Sequence, residues 1–327
     1  MMEHKNLPAY QTAGCLASPV SLKPLRAQGD SYVTDDGGEQ YDASGGIINL
    51  LSDELLDETA AHEIDSFAAN PVIGTCYFRR PLFKKAISHL RRALDTQTGE
   101  LRFAELGGGE GYLARRVADD FRSRDVYVCD ISRRYLQLAP QTLIRVCCDV
   151  RFGVFQAGAL DAAAFWVSLH HFTRGDAERC LTQAYRALRP GGVLMLFEPN
   201  RLFFPRRMLM KLPFLRKKVY FDAAEKHLSV HDCLAVAREI GFTTAGVRFV
   251  NPPYSWSFVR KLRAAPLFFA LTEALHLCDS IALSAAIGAL LRLVGARARW
   301  GLYFLAMLRK PENAERLPGE RDTERQS

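Results

Sequence analysis

Phe103-Ala104-Glu105-Leu106-Gly107-Gly108-Gly109-Glu110-Gly111-Tyr112 is the stretch that decides the fold of this chain. An apolar strand runs into an acidic residue, and glycines at alternate positions then open a helix. Glycine tolerates a left-handed backbone and allows close approach of a ligand where a Cβ would block it. The helix start beyond the glycines favours negative charge. Such a loop suits a nucleotide-like cofactor at the carboxyl end of the first strand of an open α/β sheet. The next apolar run ends at Tyr127-Val128-Cys129-Asp130-Ile131, with Asp130 19 residues beyond Gly111. A carboxylate there can accept both hydroxyls of a ribose, and Ile131 can pack on the adenine face. The dinucleotide fingerprint G-x-G-x-x-G requires glycine at 112, where this chain has Tyr112. The alternate-glycine pattern E-x-G-x-G-x-G is complete instead.

Outward from this loop, strand-like runs fall near 101–106, 126–130, 143–147, 162–168, 193–198, 244–250 and 301–308. Helical spacing fills 111–120, 132–139, 176–188 and 231–240. Strands alternating with helices predict a Rossmann-like α/β fold: seven strands, mostly parallel, with helices on both faces. Before it, 53–95 reads as a helical cap of two helices, 53–69 and 79–95, broken at Asn70-Pro71. The second carries Leu82, Phe83, Ala86, Ile87, Leu90 and Leu94 at helical spacing. The main domain is thus expected over 53–310, with its cofactor-binding core at 101–250, insertions at 201–226 and 253–297, and a disordered tail at 311–327.

Four further strings follow the glycine loop and Asp130 in order. Cys148-Asp149-Val150 follows the third strand. Asp161 through Ser168-Leu169-His170-His171-Phe172 covers the fourth strand and its exit. Ala187-Leu188-Arg189-Pro190-Gly191-Gly192 precedes the fifth, and Ile240-Gly241-Phe242 the sixth. Together these resemble the class I S-adenosylmethionine-dependent methyltransferases, of the type acting on small molecules and lipids, over about residues 101–310. The resemblance implies S-adenosylmethionine as cofactor, with contacts from Glu105, Gly107, Gly108, Gly109, Gly111, Asp130, Ile131, Asp149, Val150 and Ser168. Asp149 falls where the family places an acidic residue near the adenine amino group. One departure stands out: the family's polar, acidic loop after this residue is here Arg151-Phe152-Gly153-Val154-Phe155-Gln156-Ala157-Gly158.

Residues 1–52 form a leader with turns at Gly37-Gly38 and Gly45-Gly46 around short β-like pieces, Ser31–Val33 and Gly46–Leu51. The string Tyr41–Leu51 resembles the last strand of a small zinc-ribbon-like leader found before some methyltransferase domains. Such leaders hold metal with cysteine pairs. This one has only Cys15, so no metal is expected and a structural cap is the reading. The eight cysteines include no C-x-x-C pair and suit a reducing compartment. The N-terminus does not read as a signal peptide, and no uncharged run of ~18 apolar residues predicts a membrane span. The expected location is therefore cytoplasmic, with peripheral membrane contact as an added possibility.

Methyl transfer needs alignment more than acid–base help, because the sulfonium leaving group is already activated. A base matters when the nucleophile carries a proton of high pKa. His170 and His171, at the exit of the fourth strand, are the candidates, since imidazole titrates near neutral pH. Glu198 and Asn200 end the fifth strand and are expected to line the acceptor pocket. Glu225 and His227 match an E-x-H segment that the family places over the active site. Ser229, with Asp232 three residues on, is an equally good helix start. Asn251-Pro252-Pro253-Tyr254 copies the catalytic string of adenine N6-methyltransferases, but it follows the sixth strand rather than the fourth. A turn leaving a strand is the preferred reading.

The acceptor is read from the insertions and the charge. The net charge is +7, with Arg201, Arg206, Arg207, Lys211, Arg216, Lys217 and Lys218 crowded together. Segment 264–296 shows a very wide apolar helical surface that needs a partner. It can pack over the pocket, form a homodimer or lie in a membrane interface. The expectation is a small hydrophobic or lipid-like acceptor, methylated on oxygen or carbon, with peripheral membrane contact through 201–218 and 264–296. The alternatives are an RNA or protein methyltransferase, and a catalytically inactive binding protein on the same fold. No aromatic stacking module or separate RNA-binding domain is visible, so nucleic acid is not the expected partner.

Overall fold

The computed structural model describes residues 14–68, 74–94, 101–204, 229–262, 270, 273, 274, 276, 277 and 301–314. Strands β1 (Leu25–Gln28), β2 (Ser31–Thr34) and β3 (Gln40–Asp42) form an antiparallel meander. Then follow β4 (Ile47–Asn49), α1 (Glu58–Ala68), α2 (Arg80–Leu94), β5 (Phe103–Leu106), α3 (Tyr112–Phe121), β6 (Val126–Asp130), α4 (Arg133–Leu136) and β7 (Ile144–Cys147). The chain continues through β8 (Leu160–Trp166), α5 (Arg174–Ala187), β9 (Leu188–Pro199), α6 (Val230–Ile240), β10 (Thr243–Val250), α7 (Trp256–Leu262) and β11 (Tyr303–Arg309). The main sheet runs β10-β11-β9-β8-β5-β6-β7-β4. β11 is antiparallel to both its neighbours, while β8, β5, β6, β7 and β4 pair in parallel.

β5, β6 and β7 read as nearly unbroken apolar runs because both of their faces are covered. On one face α2 buries Leu82, Phe83, Ala86, Ile87, Leu90 and Leu94, the set that its spacing predicts. On the other, α5 and α6 bury Leu181, Tyr185, Cys233 and Val236. α6 starts on a capping box in which the Ser229 side chain accepts from Asp232 N–H and Asp232 reaches back. The sheet changes direction of growth at β5, and that switch point opens a crevice at the carboxyl ends of β5 and β8. Among the described residues, no helix is long and apolar enough to cross a membrane.

One sequence expectation changes. The sheet has eight strands rather than seven, because Ile47–Asn49, assigned to the leader, adds in parallel to β7. Ile48 is wholly buried there, so the leader's end belongs to the main core. The departure at 151–158 also gains a reason, because this loop is the leader's docking surface. Leu16 bridges Phe155, Ala17 N–H donates to Val154 O at 3.0 Å, and the Gln156 amide donates to Leu16 O at 3.0 Å. Cys15 is buried in the same seam, with its thiol 3.8 Å from Ala159 O. Segments 205–228 and most of 263–300 lie outside the described residues, as do Glu225, His227 and the tail from 315.

Candidate functional site

Gly107, Gly109 and Gly111 all hold positive φ, at 65°, 53° and 68°. The loop is also too tight for side chains. A Cβ on Gly107 would lie 2.7 Å from Ser168 Cβ, and one on Gly108 would lie 2.7 Å from Glu105 Cγ. The result is a bare backbone cradle at the switch point, which fits a nucleoside cofactor. Glu105 packs against Gly108 of that cradle. Its buried carboxylate accepts Ala114 N–H at 2.7 Å and so caps α3 from outside the helix. Burial pushes its pKa up to about 8.

Asp130 closes the cradle on the β6 side. One of its oxygens accepts Gly109 N–H and the other accepts Ser132 N–H, each at 2.8 Å. Each oxygen keeps a second lone pair, enough for two ribose hydroxyls. Burial raises this carboxyl to about 6, against the pull of the two amides. Ile131 is half-buried beside it.

Asp149 has a different partner from the one the resemblance assigns. The Arg151 guanidinium grips both of its oxygens at 2.6–3.1 Å, and Arg151 N–H donates to Oδ1 at 2.9 Å. Three N–H groups of one residue thus hold this carboxylate, two from the guanidinium and one from the backbone. Arg151 also holds Asp57 at 2.7 and 2.9 Å. Asp57 in turn accepts Ala60 N–H at 2.8 Å, at the start of α1. Buried Arg151 thus pins α1 to the carboxyl end of β7. Val150 is buried next to this cluster.

The exit of β8 is strained and heavily bonded. Val167 sits at φ 57°, an uncommon conformation for a β-branched residue and one that clusters at functional sites. Ser168 lies against Gly107 and donates its hydroxyl to Leu106 O at 2.9 Å. Glu198 Oε1 accepts the N–H groups of Ser168 and Leu169 at 3.0 and 2.8 Å. Its Oε2 lies 2.7 Å from His170 Nδ1. With the carboxylate accepting at Nδ1, His170 carries a proton there and its ring lone pair lies on Nε2. The His171 ring stands 4.2 Å from that of His170. Glu198 therefore positions His170.

Asn200 is likewise built into the fold. Its amide donates to Gly301 O at 2.8 Å and accepts Leu202 N–H at 3.1 Å. Beside it an aromatic stack crosses the ends of three strands. Trp166 lies on Phe197 at 4.3 Å, and Phe197 on Tyr303 at 5.0 Å. The N-P-P-Y turn joins this wall as a scaffold. Asn251 Oδ1 accepts Leu302 N–H at 3.0 Å, and Tyr254 stacks on Phe258 with its hydroxyl 3.1 Å from that of Tyr303. Sequence reasoning missed Arg151, the strained Val167 and this aromatic stack. The signals available were an arginine two residues past a buried aspartate and aromatic residues at adjacent strand ends.

Residues 103–192 match the family model described as a methyltransferase domain. A 23S rRNA (guanine(748)-N(1))-methyltransferase from Streptomyces fradiae is 27% identical over 187 residues, covering 57% of this chain and 64% of that protein. A mitochondrial 2-methoxy-6-polyprenyl-1,4-benzoquinol methylase from Leishmania donovani is also 27% identical, over 35% of this chain and 45% of its own length. The chain thus spans less than two thirds of either curated relative. Among solved structures, geranyl diphosphate C-methyltransferase from Streptomyces coelicolor A3(2) shares the fold, at 12% identity and a TM-score of 0.52. That similarity covers 78% of this chain and 98% of that one. Residues 103–192 thus carry a methyltransferase domain on this fold, and its cofactor is S-adenosylmethionine.

Proposed function

We propose that this chain methylates a small hydrophobic or lipid-like acceptor on oxygen or carbon, working in the cytoplasm and in peripheral contact with a membrane. The observation that carries the reading is the placement of the glycine cradle and Asp130 directly beside the Glu198–His170 pair. S-adenosylmethionine supplies a methyl group on a positively charged sulfonium. Asp130 holds the ribose hydroxyls, Ile131 packs on the adenine, and the bare backbone from Gly107 to Gly111 admits the cofactor closely. His170 takes the acceptor's proton at Nε2, and His171 helps orient the acceptor. The aromatic stack of Trp166, Phe197 and Tyr303 gives this edge an apolar wall. The polyprenyl acceptor named for the Leishmania relative supports a greasy substrate.

RNA is the second reading, favoured by the rRNA named for the Streptomyces relative and by the basic run 201–218. The experiment is methyl transfer from labelled S-adenosylmethionine to a panel of prenylated phenols, isoprenyl diphosphates and ribosomal RNA fragments. Labelling of a small hydrophobic acceptor is expected. Labelling of RNA alone would move the assignment to the second reading. Tight cofactor binding without labelling of any acceptor would favour a binding protein that has lost catalysis.

A further inference from the structure

The segment Gly74–Arg79 straps across the mouth of the cradle. Gly74 N–H donates to the Glu110 carboxylate on the glycine loop. The Tyr77 side chain is hydrogen-bonded to that of Tyr135, whose ring lies 3.6 Å from the position a Cβ on Gly109 would take. Phe78 packs edge-on against Trp166 at the end of β8 and against Phe197 of β9. The N-P-P-Y turn holds the strap in place. Arg79 N–H donates to Pro253 O and Ser255 N–H to Tyr77 O, both at 2.9 Å, while the Ser255 hydroxyl donates to Cys76 O.

Within this strap Thr75 is 4% exposed, and its hydroxyl has no hydrogen-bond partner. A buried hydroxyl without a partner is costly and calls for an explanation. We propose that the Thr75 hydroxyl binds the amino-acid end of the cofactor, an inference that rests on the S-adenosylmethionine reading above. Asp130 claims the ribose on the β6 side of β5. The strap leaves Glu110 and Tyr135 and reaches β8 and β9, on the opposite side of β5. The part of the cofactor that passes beneath it is therefore the end remote from the nucleoside. That end carries an ammonium and a carboxylate, both of which need partners once buried. A hydroxyl donates as well as accepts, so Thr75 can serve either group. The N-P-P-Y turn gains a purpose as the anchor of this strap.

Calorimetry on the full chain tests this with two ligands: S-adenosylhomocysteine, and 5′-methylthioadenosine, which lacks the amino-acid end. Thr75→Val should weaken S-adenosylhomocysteine on the order of tenfold and leave methylthioadenosine unchanged. Thr75→Ser should restore most of the loss. The unliganded Val variant should melt no lower than wild type, because an isosteric methyl replaces an unpaired buried hydroxyl. Undiminished S-adenosylhomocysteine binding by the Val variant would overturn the proposal, as would an equal loss for both ligands or a lower melting temperature without ligand. In those cases wild-type binding leaves the proposed function standing. Wild-type protein that binds neither ligand overturns both.

Discussion

As the proposed ribose ligand Asp130 must act as a carboxylate, yet burial lifts its pKa to about 6. Hydroxyl donors favour the charged form, so a bound proton must leave before the cofactor can bind. Cofactor affinity should hold above that pH and fall below it, by about tenfold per pH unit once well below. Asp130→Ala should weaken binding by about 1–3 kcal/mol at neutral pH and abolish that pH dependence. Calorimetry across the range checks both, and a flat wild-type profile would place the ribose elsewhere. Glu105 gives a separate signal, in stability. Its folded pKa of about 8 lies above the ordinary 4.5, so the folded chain keeps a proton that the unfolded chain releases. The stabilisation is therefore complete below about pH 4.5 and is lost as pH rises toward 8. Denaturant midpoints should fall with pH over this window in wild type and less steeply in Glu105→Gln; equal slopes would mean that the carboxyl is not buried as described.

At the scale of elements, β4 and the N-P-P-Y turn both do work that their lengths conceal. Ile48→Ala should cost about 2–5 kcal/mol in equilibrium unfolding if β4 is part of the main core; a loss near zero would return it to a dispensable leader. Tyr254→Ala should lower stability on the order of 3 kcal/mol. Its single-turnover rate with both substrates saturating should match wild type, and a collapse of that rate would make Tyr254 catalytic. The long strands and amphipathic helices were legible in the sequence because period and apolar runs survive over many residues, as in α2. β4 was legible as a strand within Gly46–Leu51, but three residues carry too little pattern to say which sheet they join. The glycine cradle and Asp130 were legible because backbone geometry demands those residue types there. For Asp149, Glu198 and Asn200 the position at a strand end is written in sequence, whereas the partner of the side chain is not. Arg151 captures the first, the Ser168–His170 corner the second, and the β11 entry the third.

Across the whole molecule, seven large apolar side chains among the described residues stand exposed: Val20 and Leu22 in the leader, Leu56 before α1, Leu138 after α4, and three next to the late strands. Trp256 opens α7 at 74% exposure, and Leu277 and Phe204 stand at 57% and 45%. All three follow strands that end on the carboxyl edge or belong to the insertion packed there. Arg79 binds Glu273 at 2.6 Å and His276 Nδ1 lies 3.0 Å from Asn251 O, so the described part of that insertion rests on the strap and the N-P-P-Y turn. Exposed aromatic and aliphatic side chains on a chain of net charge +7 fit an anionic lipid interface, which draws basic residues at about 1 kcal/mol each. A greasy acceptor would then pass from the bilayer to His170 without crossing water. The protein should co-sediment with anionic vesicles at low salt and release as salt rises, since such attraction is screened. Trp166 is already buried and Trp256 is not, so in a Trp300→Phe background tryptophan emission should shift to the blue on binding. Trp256→Phe should lose most of that shift while keeping cofactor affinity. Absence of sedimentation at every salt concentration, together with a small polar acceptor, would sink the membrane contact and leave Trp256 as a surface residue whose partner is something other than lipid.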